Sequence, residues 1–274
     1  ASFYGTTEKN LDSFFLYLFK LNYIFDKKLK IVGQIQIVNN KKNTLYFDSG
    51  EPPIYEYSKD YQSGPLSFEF FYEDNKIITN CGYGRKISKK TQLISKFTSA
   101  QSTLCLNDTS VVKFQRNNLI NQTFGSTIND GFKISDPIRK ENKNDIYIAA
   151  THNAYLSKYG YLHKREIKIL KKSGIVSGVD TLIKKRNTPQ GLGFSIRFHL
   201  YPGISAIKTL SGQSILLQIN QKKSWILISD SHNLEIEKGL FMGRNKVVSN
   251  DCAVIYGNTN QQDTCIKWEL KRSV

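Results

Sequence analysis

Four histidines are the side chains whose type suits acid–base or ligand chemistry near neutral pH. His152 lies in the run Ala150–Tyr155, and His163 in Tyr161–Arg165. His199 follows Arg197 by two positions, and His232 sits in the turn-like run Asp230–Asn233. Arg197 and His199 form the better pair. Two residues apart on a strand, they share one face, a geometry able to grip a carboxylate or sulfate. The same alternation also suits the solvated side of a sheet. Tyr155, three residues after His152, is a candidate substrate-facing neighbour of that histidine. The cysteines Cys81, Cys105, Cys252 and Cys265 contain no C-x-x-C pair. That spacing excludes a zinc ribbon and a thioredoxin motif. Four cysteines in 274 residues do not make a disulfide framework. Buried thiols are the expectation, with one or two disulfides left open.

The charge balance narrows the partners. There are 39 Lys and Arg against 23 Asp and Glu, a formal net charge of +16. An excess of this size suits an acidic polysaccharide, nucleic acid or anionic lipid. A Lys-, Asn- and Ile-rich composition explains it equally well without any partner. No zinc finger, helix-turn-helix or RNP-type aromatic motif accompanies it, which argues against nucleic acid. No apolar run reaches the ~18 residues that a transmembrane helix requires. No export signal is visible at the start of the sequence, so the chain is expected to be either processed or part of something longer.

The elements that must position these residues are mostly strands. Asp12 can cap one opening helix that runs through Leu16, Leu18, Phe19 and Leu21. After it the apolar period becomes two. Gly193–Leu200 alternates, with Phe194, Ile196, Phe198 and Leu200 opposite Ser195, Arg197 and His199. Thr264–Lys271 sets Ile266, Trp268 and Leu270 against Lys267, Glu269 and Lys271. Similar short runs recur, among them Ile31–Ile37, Lys76–Asn80, Asp145–Thr151, Tyr161–Leu170, Ser214–Asn220, Ser224–Ser229 and Lys246–Tyr256. Turn signals separate them and no crossover helices intervene. The pattern predicts an all-β antiparallel sandwich. Arg85–Lys96 reads as a loop, and Gln115–Lys143 as long surface loops with room for short strands.

Eight segments in order resemble the C-terminal part of the heparinase II/III-like proteins, in their proteobacterial branch. They are Ala1–Gly5, Asp48–Pro52, Gly64–Glu69, Ile77–Gly82, Ala100–Leu104, Thr151–Tyr155, Tyr161–Arg165 and Ile196–Pro202. The resemblance implies an N-terminal α/α toroid followed by a large antiparallel β-sandwich. Residues 1–30 would then be a helical segment at the end of the toroid, and residues 31–274 the sandwich. It also implies β-elimination on uronic-acid polysaccharides, in which a base removes the C5 proton and an acid protonates the departing O4.

In that family the sandwich supplies a histidine and commonly a zinc set of two histidines and an aspartate. Carried over residue by residue, those positions fall on Gln62, Asn80 and Gln101. Amides are poor zinc ligands, so no cofactor is expected and a hydrogen-bonded amide cluster is expected to fill the space. His152 and His199 remain as candidate catalytic groups, with Tyr155 and Arg197 as candidate substrate-binding residues. The expected function is the sandwich portion of a polysaccharide lyase, inactive as this chain alone. The alternative is a non-catalytic carbohydrate-binding or envelope module with a decayed site. The expected partners are an acidic polysaccharide and the toroid of the same parent, and the resemblance suggests the cell envelope or periplasm.

Overall fold

The computed structural model describes Lys20 and residues 30–115, 126–185, 191–229, 233–243 and 245–273. The opening helix and His232 lie outside the described residues. The first strands are β1 (Ile31–Val32), β2 (Ile35–Asn40), β3 (Asn43–Asp48), β4 (Phe68–Tyr72), β5 (Asn75–Thr79) and β6 (Leu104–Leu106). A small pair follows, β7 (Lys113–Phe114) with β8 (Ile128–Asp130). Then come β9 (Ile134–Glu141), β10 (Asp145–His152), β11 (Tyr161–Leu170), β12 (Val176–Lys184) and β13 (Gly193–Leu200). The last are β14 (Ser205–Lys208), β15 (Ser214–Asn220), β16 (Lys223–Ser229), β17 (Asn233–Gly243), β18 (Lys246–Asn258) and β19 (Thr264–Arg272).

These strands make two large antiparallel sheets. One runs β1-β2-β3-β4-β5-β13-β18-β17, with β6 also pairing β13. The other runs β14-β15-β16-β19-β12-β11-β10-β9. Their inner faces meet in one core, as period-two patterning requires of a sandwich. Phe68 of β4 stacks flat on Trp268 of β19, with ring centroids 5.4 Å apart and planes at 5°. Phe198 of β13 meets the same indole edge-on at 5.1 Å. Further along, Phe70 packs edge-on against Trp225 of β16 at 5.0 Å. The expected inward set of β13 (Phe194, Ile196, Phe198 and Leu200) is buried, as are Ile266, Trp268 and Leu270 of β19.

Two elements differ from the sequence reading, and in a third a strand is longer than expected. Ile31–Ile37 is broken by a turn and belongs to two strands, with Gly33 at φ +59° making the reversal. Arg85–Lys96 is not a loop throughout, because Lys89–Ser95 forms helix α1. Ser88 caps it by accepting from the Thr91 N–H, and Thr91 Oγ1 accepts the Ser88 N–H in return. Gln115–Lys143 contains β8 and the eight-residue edge strand β9. The charged and polar run Ser135-Asp136-Pro137-Ile138-Arg139-Lys140 hid β9. Such composition is what an exposed edge carries to resist pairing with other chains.

Candidate functional site

The pleat of β13 sets Ser195, Arg197 and His199 on the sheet face away from the core. That face is covered rather than solvated. The segment Thr98–Thr103 lies over it, and His199 is only 5% exposed. The His199 N–H donates to Ser102 Oγ at 3.0 Å, and its Nε2–H donates to the Ser99 carbonyl at 3.0 Å. The neutral ring therefore carries its lone pair on Nδ1. That atom has no partner among the described residues, and neither does the nearby buried Asn250 Oδ1. Both border the bare backbone of Gly239 on β17. A Cβ built there would stand 3.4 Å from His199 Nδ1 and 2.7 Å from Asn250 Oδ1. Two acceptors thus flank a gap that only a glycine leaves open. Burial, with Arg197 adding repulsion, lowers the His199 pKa to about 4, so the ring is uncharged at neutral pH.

Arg197 turns away from this gap. It bonds Ser195 Oγ and lies 3.6 Å from a carboxylate oxygen of Glu237, which also receives the Tyr256 hydroxyl. Its charge is already met on the sheet.

The positions Gln62, Asn80 and Gln101 are drawn together under α1. The amide nitrogens of Gln62 and Gln101 both donate to the Ser95 carbonyl, at 3.0 and 2.9 Å. Gln62 also donates to the Gly82 carbonyl. Asn80 Oδ1 accepts the Ser102 N–H at 2.8 Å, and its amide nitrogen reaches Ser67 Oγ. Two side chains that would be histidines in a zinc set present N–H donors to one shared oxygen. These residues do not fit a metal.

His152 and Tyr155 sit elsewhere, inside the sandwich. Tyr155 is 1% exposed and donates its hydroxyl to the Leu104 carbonyl. The His152 ring packs against Tyr155 at 5.4 Å and Phe132 at 5.7 Å. His152 leads into a buried polar chain that the sequence did not announce. His152 Nε2 meets His163 Nδ1 at 3.0 Å, and His163 Nε2 meets Asp180 Oδ1 at 2.6 Å. Asp180 also accepts from Arg165 Nε and Nη2, and from the Trp268 indole at 2.8 Å. Arg165 Nη1 then crosses to the other sheet, donating to the carbonyls of Leu66 and Ser102. Leu66 holds a left-handed backbone, φ +57°, ahead of β4. The guanidinium takes the carbonyl that this strained turn exposes. Burial alone would raise the Asp180 carboxyl, and the Arg165 charge and the His163 bond overcome it and hold the pKa well below the usual carboxylate range. The Asp180 and Arg165 charges of this buried cluster are paired with each other, as burial requires.

The structure thus brings His152 and Tyr155 together in the core and His199 and Arg197 onto one covered face. Ser102 stands between the two groups, bonded to Arg165, Asn80 and His199. No helix among the described residues is long and apolar enough to cross a membrane.

Residues 27–269 match the family described as heparinase II/III-like, C-terminal. The FtsZ-localized protein C of Caulobacter vibrioides is 23% identical over 196 residues, 69% of this chain and 33% of that protein. Among solved structures, heparan sulfate lyase HepC from Pedobacter heparinus superposes with TM-score 0.69 at 12% identity, over 96% of this chain and 40% of that one. A heparinase III gene product superposes with TM-score 0.70 at 9% identity, over 94% and 39%. The chain therefore spans about a third of the curated relative and about two-fifths of the lyases it resembles. At these identities the superpositions speak for the fold.

Proposed function

The chain belongs to the heparinase II/III-like C-terminal family, and from that membership we propose that it is the sandwich part of a polysaccharide lyase cleaving an acidic, uronic-acid glycan. In β-elimination a base takes the C5 proton. The electron pair left behind forms the C4–C5 double bond, the C4–O4 bond breaks, and an acid protonates O4. The observation that carries the reading is the match of residues 27–269 to that family. His199, a neutral histidine whose buried Nδ1 lies beside a glycine gap, is the candidate histidine on the covered face of β13.

A pKa near 4 makes this ring a weak base. Buried on the covered face, it helps to shape the sandwich, and the proton-transferring groups come from the toroid of the parent protein. His152 is assigned a structural role, since both of its ring nitrogens are engaged within the core. The net charge of +16 favours approach of a polyanion, and an envelope glycan is the substrate class in view.

The test is an elimination assay on the full-length parent with a panel of uronic-acid polysaccharides. The ultraviolet absorbance of the unsaturated product is followed with and without chelator. Activity that survives chelation supports the reading. A folded parent inactive on the whole panel overturns it.

A second reading, glycan binding without cleavage, is favoured by one observation. The Gln62, Asn80 and Gln101 side chains are tied into protein hydrogen bonds. The name of the Caulobacter relative, which describes a location, is in keeping with it. Binding without product separates the two.

A further inference from the structure

A cleft of about 450 Å³ opens at one end of the sandwich, where the chain leaving β3 meets the chain leaving β10. One wall is the strip Pro52-Pro53-Ile54-Tyr55, with Ile54 67% and Tyr55 44% exposed. The floor is Phe132, 5% exposed and backed by the His152 ring. The opposite wall is polar, formed by Asn129, Lys133 and Asn153. Asn153 spends its Oδ1 on the Lys133 N–H, which leaves its NH₂ as the group it can offer. Two successive prolines fix the backbone of the apolar strip before anything binds, which lowers the ordering cost of binding. A Cβ at Gly131 would touch Pro52 Cγ at 3.4 Å, so a longer side chain there would extend into the cleft.

Charge decides what this cleft can take. Lys133 is the one cation among its lining residues and Glu51 the one anion. They face each other at 3.1 Å, and the second Glu51 oxygen accepts the Ile134 N–H. The cleft is neutral in a protein of net charge +16. An apolar ledge bearing an aromatic residue, beside two asparagine side chains, matches a pyranose ring, apolar on its C–H face and polar at its rim. A uronate would find no unpaired cation here.

We infer that this cleft is a carbohydrate subsite for uncharged pyranose residues, separate from the face of β13 that bears His199. The inference rests on the reading of the chain as glycan-acting and adds that it grips its polymer at a neutral sugar.

The test titrates the 274-residue chain by calorimetry with neutral β-linked tetrasaccharides of glucose, galactose and N-acetylglucosamine, beside an oligouronate of the same length. At least one neutral tetrasaccharide should bind, with nearly the same affinity at low and high salt. Gly131→Leu fills the cleft and removes no contact group. Tyr55→Ala removes the ring and fills nothing. Each should weaken binding about tenfold or more while the chain keeps its thermal midpoint. The subsite is overturned if no neutral sugar binds, if only the oligouronate binds and salt abolishes it, or if binding ignores both substitutions. Elimination by the parent is scored separately by absorbance, so the failure of one reading is distinguishable from the failure of the other.

Discussion

His152 Nε2 lies 3.0 Å from His163 Nδ1, and the proton between them is placed from both ends. The Ala154 N–H donates to His152 Nδ1, so His152 carries its hydrogen on Nε2. His163 Nε2 faces the Asp180 carboxylate and must donate to it, so His163 Nδ1 is an acceptor. A neutral–neutral pair satisfies every contact, and a proton added to either ring breaks one. Burial pushes both pKa values below the ordinary histidine value. Nitrogen-15 spectra should show the Nε2–H tautomer at both residues at neutral pH, and protonation of either ring at pH 6 would contradict this arrangement.

Acid sensitivity follows from the same burial. His152, His163 and His199 are uncharged in the fold, whereas in the unfolded chain each takes up a proton near pH 6.5. Their lowered folded values give stability that is present above pH 6.5 and is lost as pH falls, down to about 4 for His199. His199 contributes a slope of about 1.4 kcal/mol per pH unit in that window, and His152 and His163 add loss in the same direction. Asp180, also lowered, extends the loss to more acid pH. Urea unfolding at pH 7.5 and pH 5 should show a clear drop in midpoint at the lower pH. A flat profile would mean that these rings are protonated in the fold.

Asp180→Asn leaves the Arg165 guanidinium buried without its counter-charge and should destabilise the sandwich by about 3–5 kcal/mol. Adding Arg165→Met should recover much of that loss, because the unpaired charge goes with it. A double-mutant cycle by chemical denaturation checks the sign. A double variant as unstable as the sum of the two single variants would show that the pair does not act as a unit.

Gly178 of β12 lies directly under the Trp268 ring. A Cβ built there would come 2.0 Å from Trp268 Cζ2. The indole cannot retreat, since Phe68 stacks on it and its N–H is bonded to Asp180. Gly178→Ala should therefore cost at least the ~1–3 kcal/mol typical of overpacking. It should also shift tryptophan emission to the red, and unchanged emission and midpoint would refute this packing.

What was legible in the sequence follows from which faces are buried. β13 and β19 alternate because one face meets the core, and their inward residues could be named directly. β12 could not, because Gly178 and Asp180 interrupt its apolar positions, one yielding to an indole and the other serving the buried chain. α1 escaped notice because its cap pairs Ser88 with Thr91 where Glu or Gln is the usual signal, and it buries only Ser95. The role of His163 depends on Asp180, seventeen residues away and on the neighbouring strand, where Arg165 and Asp180 are direct partners. No local spacing encodes such a pair. Gln62, Asn80 and Gln101 were grouped only through family resemblance, and the shared Ser95 carbonyl shows two of them converging.

Thiol accessibility gives a direct check on the packing. Cys81, Cys105 and Cys252 are buried and unpaired, and Cys265 is exposed. Burial pushes the pKa of Cys81 and Cys252 to about 12 and that of Cys105 to about 11, which withholds the reactive thiolate. A thiol reagent at pH 8 should label one cysteine quickly in the native chain and four after denaturation. More than one fast thiol would place a second cysteine at the surface.

The amide cluster makes the last prediction. Gln62 and Gln101 each place a side-chain nitrogen within hydrogen-bond reach of one oxygen, that of Ser95. Asn80 reaches the same neighbourhood through Ser67 and Ser102. What keeps this geometry from holding zinc is the chemistry of its atoms, since amides direct N–H donors inward where a cation needs lone pairs. Replacing all three together, Gln62→His, Asn80→Asp and Gln101→His, supplies two imidazoles and a carboxylate on the same backbone. The triple variant should bind zinc by calorimetry and gain thermal stability when zinc is added, because a ligand that binds only the fold stabilises it. The unaltered chain should do neither. A triple variant that folds without binding zinc would show that the backbone, and not only the side chains, has moved away from a metal site.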